Sequence, residues 1–362
     1  MDRIRTAFIT FFPIKPNTMG SSAVINSRYN SWPFKKKIFQ ISHVKKINNE
    51  SIETIFINRE RPFYKILKLP ELIFKINGFL KKSQKKIIII EGASWIFYSF
   101  IFLFSFKFFL SKKKIIYISH SIESEIRRKY SNLFIYYLTL FLENLVFRFS
   151  DISTSVSKKE QKKIKLYYNK KTILLPNGIE IKNFKKNKKI NANYLIYTGS
   201  YLYKPNKDAI DFLNDQIMPK LILKYPNLKL VITGGGYKEK KFPWLINKET
   251  VSKKDLYNLL FFSKGLCVPL KFGSGTRIKI IEALCLGAII ISSKKGIEGI
   301  DLNSINPPYI IDNKSKYISK IFEILKNYKK IKKKSINQKK FYLKKYSMNK
   351  IIQKFIYENQ IK

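Results

Sequence analysis

The 362-residue chain has only two cysteines, two histidines and three tryptophans. Cys267 and Cys285 both lie in apolar stretches, so they exclude a disulfide framework and read as buried, reduced thiols. The two histidines and two cysteines show no zinc-ligand spacing, and no metal site is expected. Acidic residues are scarce, 24 against 71 lysines and arginines, for a formal charge of +47. Arginine is scarce too: nine of those 71 cations. Nucleic-acid readers favour the arginine fork. Here lysines spread through nearly every predicted helix, with isoleucine and asparagine beside them. That pattern reads as a drift in composition, and no specific nucleic acid is expected as a partner. The alternative, a basic nucleic-acid-binding protein, rests on charge alone. Whatever its origin, such a surface attracts anionic ligands and adheres to anionic headgroups at about 1 kcal/mol per well-placed lysine.

Long apolar runs are missing as well. The longest, Ile96 to Leu110, falls short of the roughly 20 residues a bilayer span needs and contains Lys107. It is either a buried helix or one that dips into a membrane surface. The basic start Met1–Arg5 precedes a short apolar run, Thr6 to Phe12, that closes at Pro13 with no cleavage signal, so no signal peptide is expected. There is no G-x-S-x-G, no P-loop and no solenoid repeat. The thiols and the lack of a leader set the expectation of a cytoplasmic protein, peripheral at most on the inner membrane face.

What is present is alternation. At 45% hydrophobic residues, the composition supports ordinary cores, and the length suggests about two domains. Apolar runs such as Lys86 to Glu91 (KIIIIE) read as strands buried on both faces. Strand and helix signals alternate through both halves, giving an α/β fold of two doubly wound, Rossmann-like domains.

The chain is organised around Cys267 to Gly299. A strand at Gly265–Leu270 leads into the turn Phe272-Gly273-Ser274-Gly275, and Thr276 is expected to cap a helix carrying Arg277, Lys279 and Glu282 in its first two turns. Gly287 is expected to end that helix and Ala288 to Ser292 to be the next strand. A glycine turn facing a helix N-terminus with two added cations fits a diphosphate. The bland alternatives are a turn that only packs helix on sheet, and a surface pairing of Lys279 with Glu282 at i,i+3.

Residues Gly273 to Gly287 meet every fixed position of G-S-G-T-R-x-K-x-x-E-A-L-x-x-G. In this the chain resembles the donor-binding segment of the GT-B retaining glycosyltransferases of family 4, the glycosyl transferases group 1 type. Further matches are His120-Ser121-Ile122-Glu123 to H-N-x-E, Asp151 to Ser157 to D-x-x-x-x-V-S, and Pro176-Asn177-Gly178-Ile179 to P-N-G-[IV]. Gly199-Ser200 with Pro205-Asn206-x-Asp208-Ala209, and Gly296-Ile297-Glu298-Gly299, also match.

The resemblance implies domains at 1–178 (acceptor side) and 179–347 (nucleotide-sugar side), with the helix from Met348 returning to the first, facing across a cleft. It implies transfer of a sugar from a nucleotide-diphosphate donor to a glycan or lipid-linked acceptor, with retention and without a metal or other cofactor. Surface polysaccharide or lipid-linked glycan assembly is the implied setting, with an anionic membrane surface nearby. Arg277 and Lys279 would take the diphosphate, Glu282 the ribose, and His120 the sugar. Gly20, Gly199, Gly273, Ser274, Gly275 and Thr276 would let the donor approach, and Glu298 would reach its hydroxyls. Each of the peripheral roles has a plain rival: a turn at Gly20, a helix-cap position for His120, a loop brace for Glu298. Where some relatives have an acid eight residues before the ribose glutamate, this chain has Ser274. A GT-B epimerase or phosphotransferase is the nearest rival in function.

Overall fold

The isoleucine-rich runs form the frame. Ile88, Ile89 and Ile90 are solvent-free in their strand, as a strand covered by helices on both faces requires. The computed structural model describes residues 2–14, 20–43, 50–59, 61–109, 113–181, 193–238, 241–273, 275–304 and 307–361. The expected turn residue Ser274 lies outside the described residues. The chain divides into two units, Met1–Gly178 with Met348–Lys362, and Ile179–Ser347.

Unit 1 opens with β1 (Asp2–Thr10), α1 (Gly20–Ser31), β2 (Lys35–Ser42) and β3 (Ile52–Phe56). It continues through α2 (Pro62–Leu67), α3 (Leu69–Leu80), β4 (Ser83–Gly92), α4 (Ile96–Phe109) and β5 (Lys113–Ser119). Then come α5 (Glu123–Tyr130), α6 (Leu133–Phe149), β6 (Ile152–Ser155), α7 (Lys158–Tyr168) and β7 (Ile173–Leu174). The sheet order is β3-β2-β1-β4-β5-β6-β7, parallel at every pairing.

Unit 2 repeats the scheme. Its elements are β8 (Tyr194–Thr198), α8 (Lys204–Phe212), α9 (Met218–Ile222), β9 (Lys229–Thr233) and β10 (Leu245–Asn247). They continue with α10 (Lys253–Phe262), β11 (Gly265–Val268), α11 (Ile278–Leu286), β12 (Ile290–Ser292) and β13 (Tyr309–Ile310). Helices α12 (Lys314–Lys326), α13 (Tyr328–Asn337) and α14 (Lys339–Lys345) complete it. The parallel order is β10-β9-β8-β11-β12-β13. Helix α15 (Met348–Glu358) belongs to unit 1, where it packs on α1. In both sheets the order reverses beside the first strand, between β1 and β4 and between β8 and β11. In such sheets ligands bind outside the carboxyl ends of the strands at that reversal.

Local chemistry accounts for most boundaries. Ser157 caps α7 by accepting from Glu160 N (3.2 Å), and Ser252 caps α10. Residues 62–80 form two helices, broken at Lys68, because Pro70 sits in the first turn of α3 and cannot continue the preceding ladder. A π-helical segment, Leu213–Ile217, widens the chain just before Pro219 for the same reason. Strand β2 is not apparent in the sequence, since Lys35 to Lys37 begin it, yet Ile38 to Ser42 are buried. Of the two readings of the 96–110 run, the core helix holds: Ile96, Tyr98, Phe102, Leu103 and Phe106 are buried. Among the described residues no helix is long and apolar enough to cross a membrane.

Helix α11 ends at Gly287 in the left-handed region (φ 71°), and a Cβ there would lie 2.9 Å from Ile336 Cα. Backbone has no room to yield, and a left-handed non-glycine residue alone costs roughly 1–2 kcal/mol. Gly287→Ala is therefore expected to destabilise the chain by about 2 kcal/mol, read as a lower urea midpoint.

Candidate active site

The reversal in unit 2 gathers the cations. Strand β8 ends at the Gly199-Ser200 turn, and β11 ends in the loop leading to α11. Lys279, in the first turn of α11, projects onto that neighbouring turn: its Nζ donates to Asn206 Oδ1 (3.1 Å) and lies 4.1 Å from the centre of the Tyr197 ring. Asn206, in the first turn of α8, is the hub. It accepts from Tyr197 Oη (2.7 Å) through Oδ1 and donates from Nδ2 to Ser200 O (2.9 Å). Gly199 sits at φ 133°, a backbone conformation L side chains rarely adopt, and a Cβ there would crowd Asn206 Nδ2 (2.7 Å) and Lys279 Nζ (2.8 Å).

The partners of Lys279 are thus a neutral amide and an aromatic face. Burial, and then the nearby Arg277 charge, lower its ammonium to about 7. Arg277 folds back so that Nη1 donates to the Gly275 carbonyl, and its Nη2 lies 3.0 Å from where a Gly273 Cβ would stand.

One expectation is corrected here, and one of the bland alternatives is ruled out. Thr276 does not cap the helix: Arg277 is the N-cap, extended at φ −86°, ψ 97°, with no side-chain cap bond. Its guanidinium is tied back to Gly275, so helical geometry starts one residue later, at Ile278. The first intrahelical bond runs from Ile280 N to Arg277 O (2.9 Å), leaving the Ile278 and Lys279 N–H groups at the helix mouth. Lys279 also does not pair with Glu282. Glu282 is buried and accepts from Lys253 Nζ, one residue past the α10 cap Ser252. Glu298, in the loop after β12, pairs with Lys295.

The reversal in unit 1 holds a second cluster. His120 follows β5, and its Nε2 lies 2.7 Å from Glu91 Oε2 at the end of β4. Arg28 of α1 reaches the same carboxylate, with Nη1 at 2.7 and 2.5 Å from its two oxygens. Both Arg28 and Glu91 are fully buried. Burial alone would raise the Glu91 carboxyl, but Arg28 and then His120 outweigh it and hold it below its ordinary value. Glu143 of α6 fixes the turn after His120 by accepting from Glu123 N (2.7 Å) and Ser124 N (3.1 Å). Gly20 opens α1 and is exposed. Glu91, Arg28, Asn206 and Lys253 were missed from sequence. A lone glutamate closing an isoleucine strand was the one signal for Glu91, and the Pro-Asn pair the one for Asn206.

Two all-parallel sheets of Rossmann type, each with polar groups at its reversal, define a GT-B fold. Solved structures agree over the whole chain. A sucrose-phosphate synthase from Thermosynechococcus elongatus superposes at TM-score 0.75, with 12% identity over 99% of each chain. Anabaena HepE in complex with UDP and glucose gives 0.71, with 12% identity over 99% of this chain and 100% of that one. A putative UDP-N-acetylglucosamine 2-epimerase from Listeria monocytogenes gives 0.60, with 12% identity over 100% and 98%. No curated protein matches the sequence. Residues 192–327, within unit 2, match the family model described as Glycosyl transferases group 1. That match lies within unit 2 alone, and the structures, at 12% identity, show the GT-B fold.

Removing one member of a buried ion pair leaves the other charge uncompensated, at roughly 3–5 kcal/mol. Glu91→Gln is expected to destabilise by about that much in urea melts, and Arg28→Met/Glu91→Met to recover most of it. Because Glu91 is held below its ordinary 4.5, the unfolded chain binds more protons in acid. Its contribution is therefore full above pH 4.5 and lost as pH falls through its folded value, which melts across acid pH would show for the wild type and not for the double variant.

Proposed function

We propose that the chain moves a sugar from a nucleoside-diphosphate donor to an acceptor hydroxyl with retention at the anomeric carbon. The observation that carries this reading is the Arg277–Lys279 pair: two like charges near each other, the second held by neutral groups and strained toward deprotonation. An anion with charge on two adjacent phosphates relieves that repulsion and matches the helix mouth at Ile278 and Lys279. HepE, which shares the fold, has been solved with UDP and with UDP-glucose, and this supports a nucleotide-sugar donor here.

In this reading Glu282 exchanges Lys253 for the ribose hydroxyls, and Glu298 exchanges Lys295 for hydroxyls of the sugar. Gly199, Gly273 and Gly275 let the donor approach the backbone, with Thr276 beside it. His120, aimed by Glu91, orients the transferred sugar. The C1–O bond breaks with its electron pair going to the diphosphate, where Arg277, Lys279 and the helix mouth stabilise the charge. The acceptor oxygen bonds to C1 on the same face, and its proton passes to the departing phosphate oxygen. Two fixed cations neutralise the leaving group, so no divalent metal is assigned a role. The acceptor we infer is a glycan or lipid-linked glycan of surface polysaccharide assembly, met at the cytoplasmic side of the membrane.

Removing one preorganised donor to a developing oxyanion typically costs 10²–10³ in rate. Arg277→Ala and Lys279→Ala are expected to lower kcat/KM by roughly 100-fold or more, with the fold retained by circular dichroism. Nucleoside diphosphate should be released only when acceptor is present. Release without acceptor, or sugar isomerisation, would point to an epimerase instead, and turnover untouched by Arg277→Ala would remove the site assignment.

Lys279 provides a separate check. Its folded value, about 7, lies below its ordinary 10.5, so between these the unfolded chain binds more protons and stability rises with pH. Lys279→Met should therefore raise the melting temperature of the free protein at neutral pH while abolishing turnover. A bound diphosphate restores the ammonium, so nucleotide binding at pH 8 should take up a proton, and affinity should fall as pH rises above 7. Calorimetry in buffers of different ionisation enthalpy reads both.

A further inference from the structure

Helix α6 has two unlike sides. Thr139, Leu142, Glu143, Val146 and Phe147 face the core. On the opposite side Leu133, Phe134, Tyr137 and Phe141 are 73%, 74%, 62% and 59% exposed. At 3.6 residues per turn, these four positions fall within about 100° of one another, so they form one stripe rather than scattered surface residues. Tyr130, 61% exposed at the end of α5, extends it. Isolated exposed apolar residues need no explanation, but a contiguous stripe marks a surface that something covers.

The charges around the stripe indicate what covers it. Arg127, Arg128 and Lys129 occupy the last turn of α5, with Arg128 and Lys129 exposed, and Arg148 lies exposed in the last turn of α6. From Arg127 to Phe141 the sequence contains no acidic residue. The next one, Glu143, is buried and turned inward onto the α5 backbone. A second copy of a chain with formal charge +47 would bring like charges together around this patch. An anionic partner with an apolar interior would not.

We propose that the α5–α6 corner is a docking surface for an anionic lipid bilayer. The stripe enters the headgroup–acyl boundary, and Arg128, Lys129 and Arg148 lie among the phosphates. A helix with aromatic and leucine side chains outward and cations at its ends lies in the interface plane rather than across it. The length of α6, 17 residues with a buried inner face, agrees with lying flat. This surface is not the 96–110 run, whose helix is core. The proposal does not depend on the donor site, since vesicle binding is measured without nucleotide.

The test uses the full chain and extruded phosphatidylcholine vesicles with or without phosphatidylglycerol, read by co-sedimentation. Binding is expected to the vesicles containing phosphatidylglycerol. Leu133→Ser/Phe134→Ser/Phe141→Ser should weaken it roughly tenfold or more, with circular dichroism unchanged. Lys329→Gln/Lys330→Gln/Lys333→Gln, which removes as many groups from exposed positions on α13, should leave it within about twofold. A Phe134→Trp reporter should shift to the blue and be quenched by brominated acyl chains. The proposal is overturned if the stripe variant binds as well as wild type, or if the α13 variant loses as much, since diffuse charge then does the binding. It is equally overturned if the reporter stays in water, or if vesicles are ignored and the stripe instead drives self-association that its serine variant abolishes.

Discussion

The Lys279 ammonium sits against one amide oxygen and one aromatic ring, with a guanidinium close enough to repel it. Much of unit 2 is arranged to allow this. The Gly199 turn leaves the space, Asn206 supplies the acceptor, and Tyr197 supplies both the ring and the hydroxyl that fixes Asn206. A cation so placed is poorly stabilised by its own protein, and under the proposed function an incoming diphosphate would make up the difference, with stability given up locally in exchange for affinity at the end of one helix.

Unit 1 treats charge the other way. Its buried arginine is matched by Glu91, and the remaining reach of that carboxylate holds His120. Here the ion pair is complete within the fold, and its purpose is orientation: an imidazole bonded at Nε2 cannot swing freely. Glu143 adds a second restraint by clamping the backbone just beyond His120. One unit thus carries a weakly compensated ammonium and the other a ring held in place, each at the reversal of its own parallel sheet.

Much of this arrangement was legible in the chain before any coordinates. The isoleucine runs required strands buried on both faces, with glycine turns at their carboxyl ends. The G-S-G-T-R segment marked the turn before α11 and the two cations, Arg277 and Lys279, that follow it. Elements whose signal was diluted escaped: β2 begins with three lysines, and β10 is a three-residue edge strand. The helix cap moved one residue, from Thr276 to Arg277, where a local bond from the guanidinium to the Gly275 carbonyl stands in place of the usual hydroxyl cap.

By itself the sequence determined the alternation of strands and helices, the parallel sheets and the glycine turn that leads into α11, because these follow from short-range periodicity and from residue types at fixed spacing. It could not determine which distant polar groups meet. Arg28 and Glu91 are 63 residues apart, and Lys279 and Asn206 are 73 apart. Nothing local to any of the four announces its partner. Strand order alone brings them together, and only in the folded sheets are they close enough for one charge to set the state of the other.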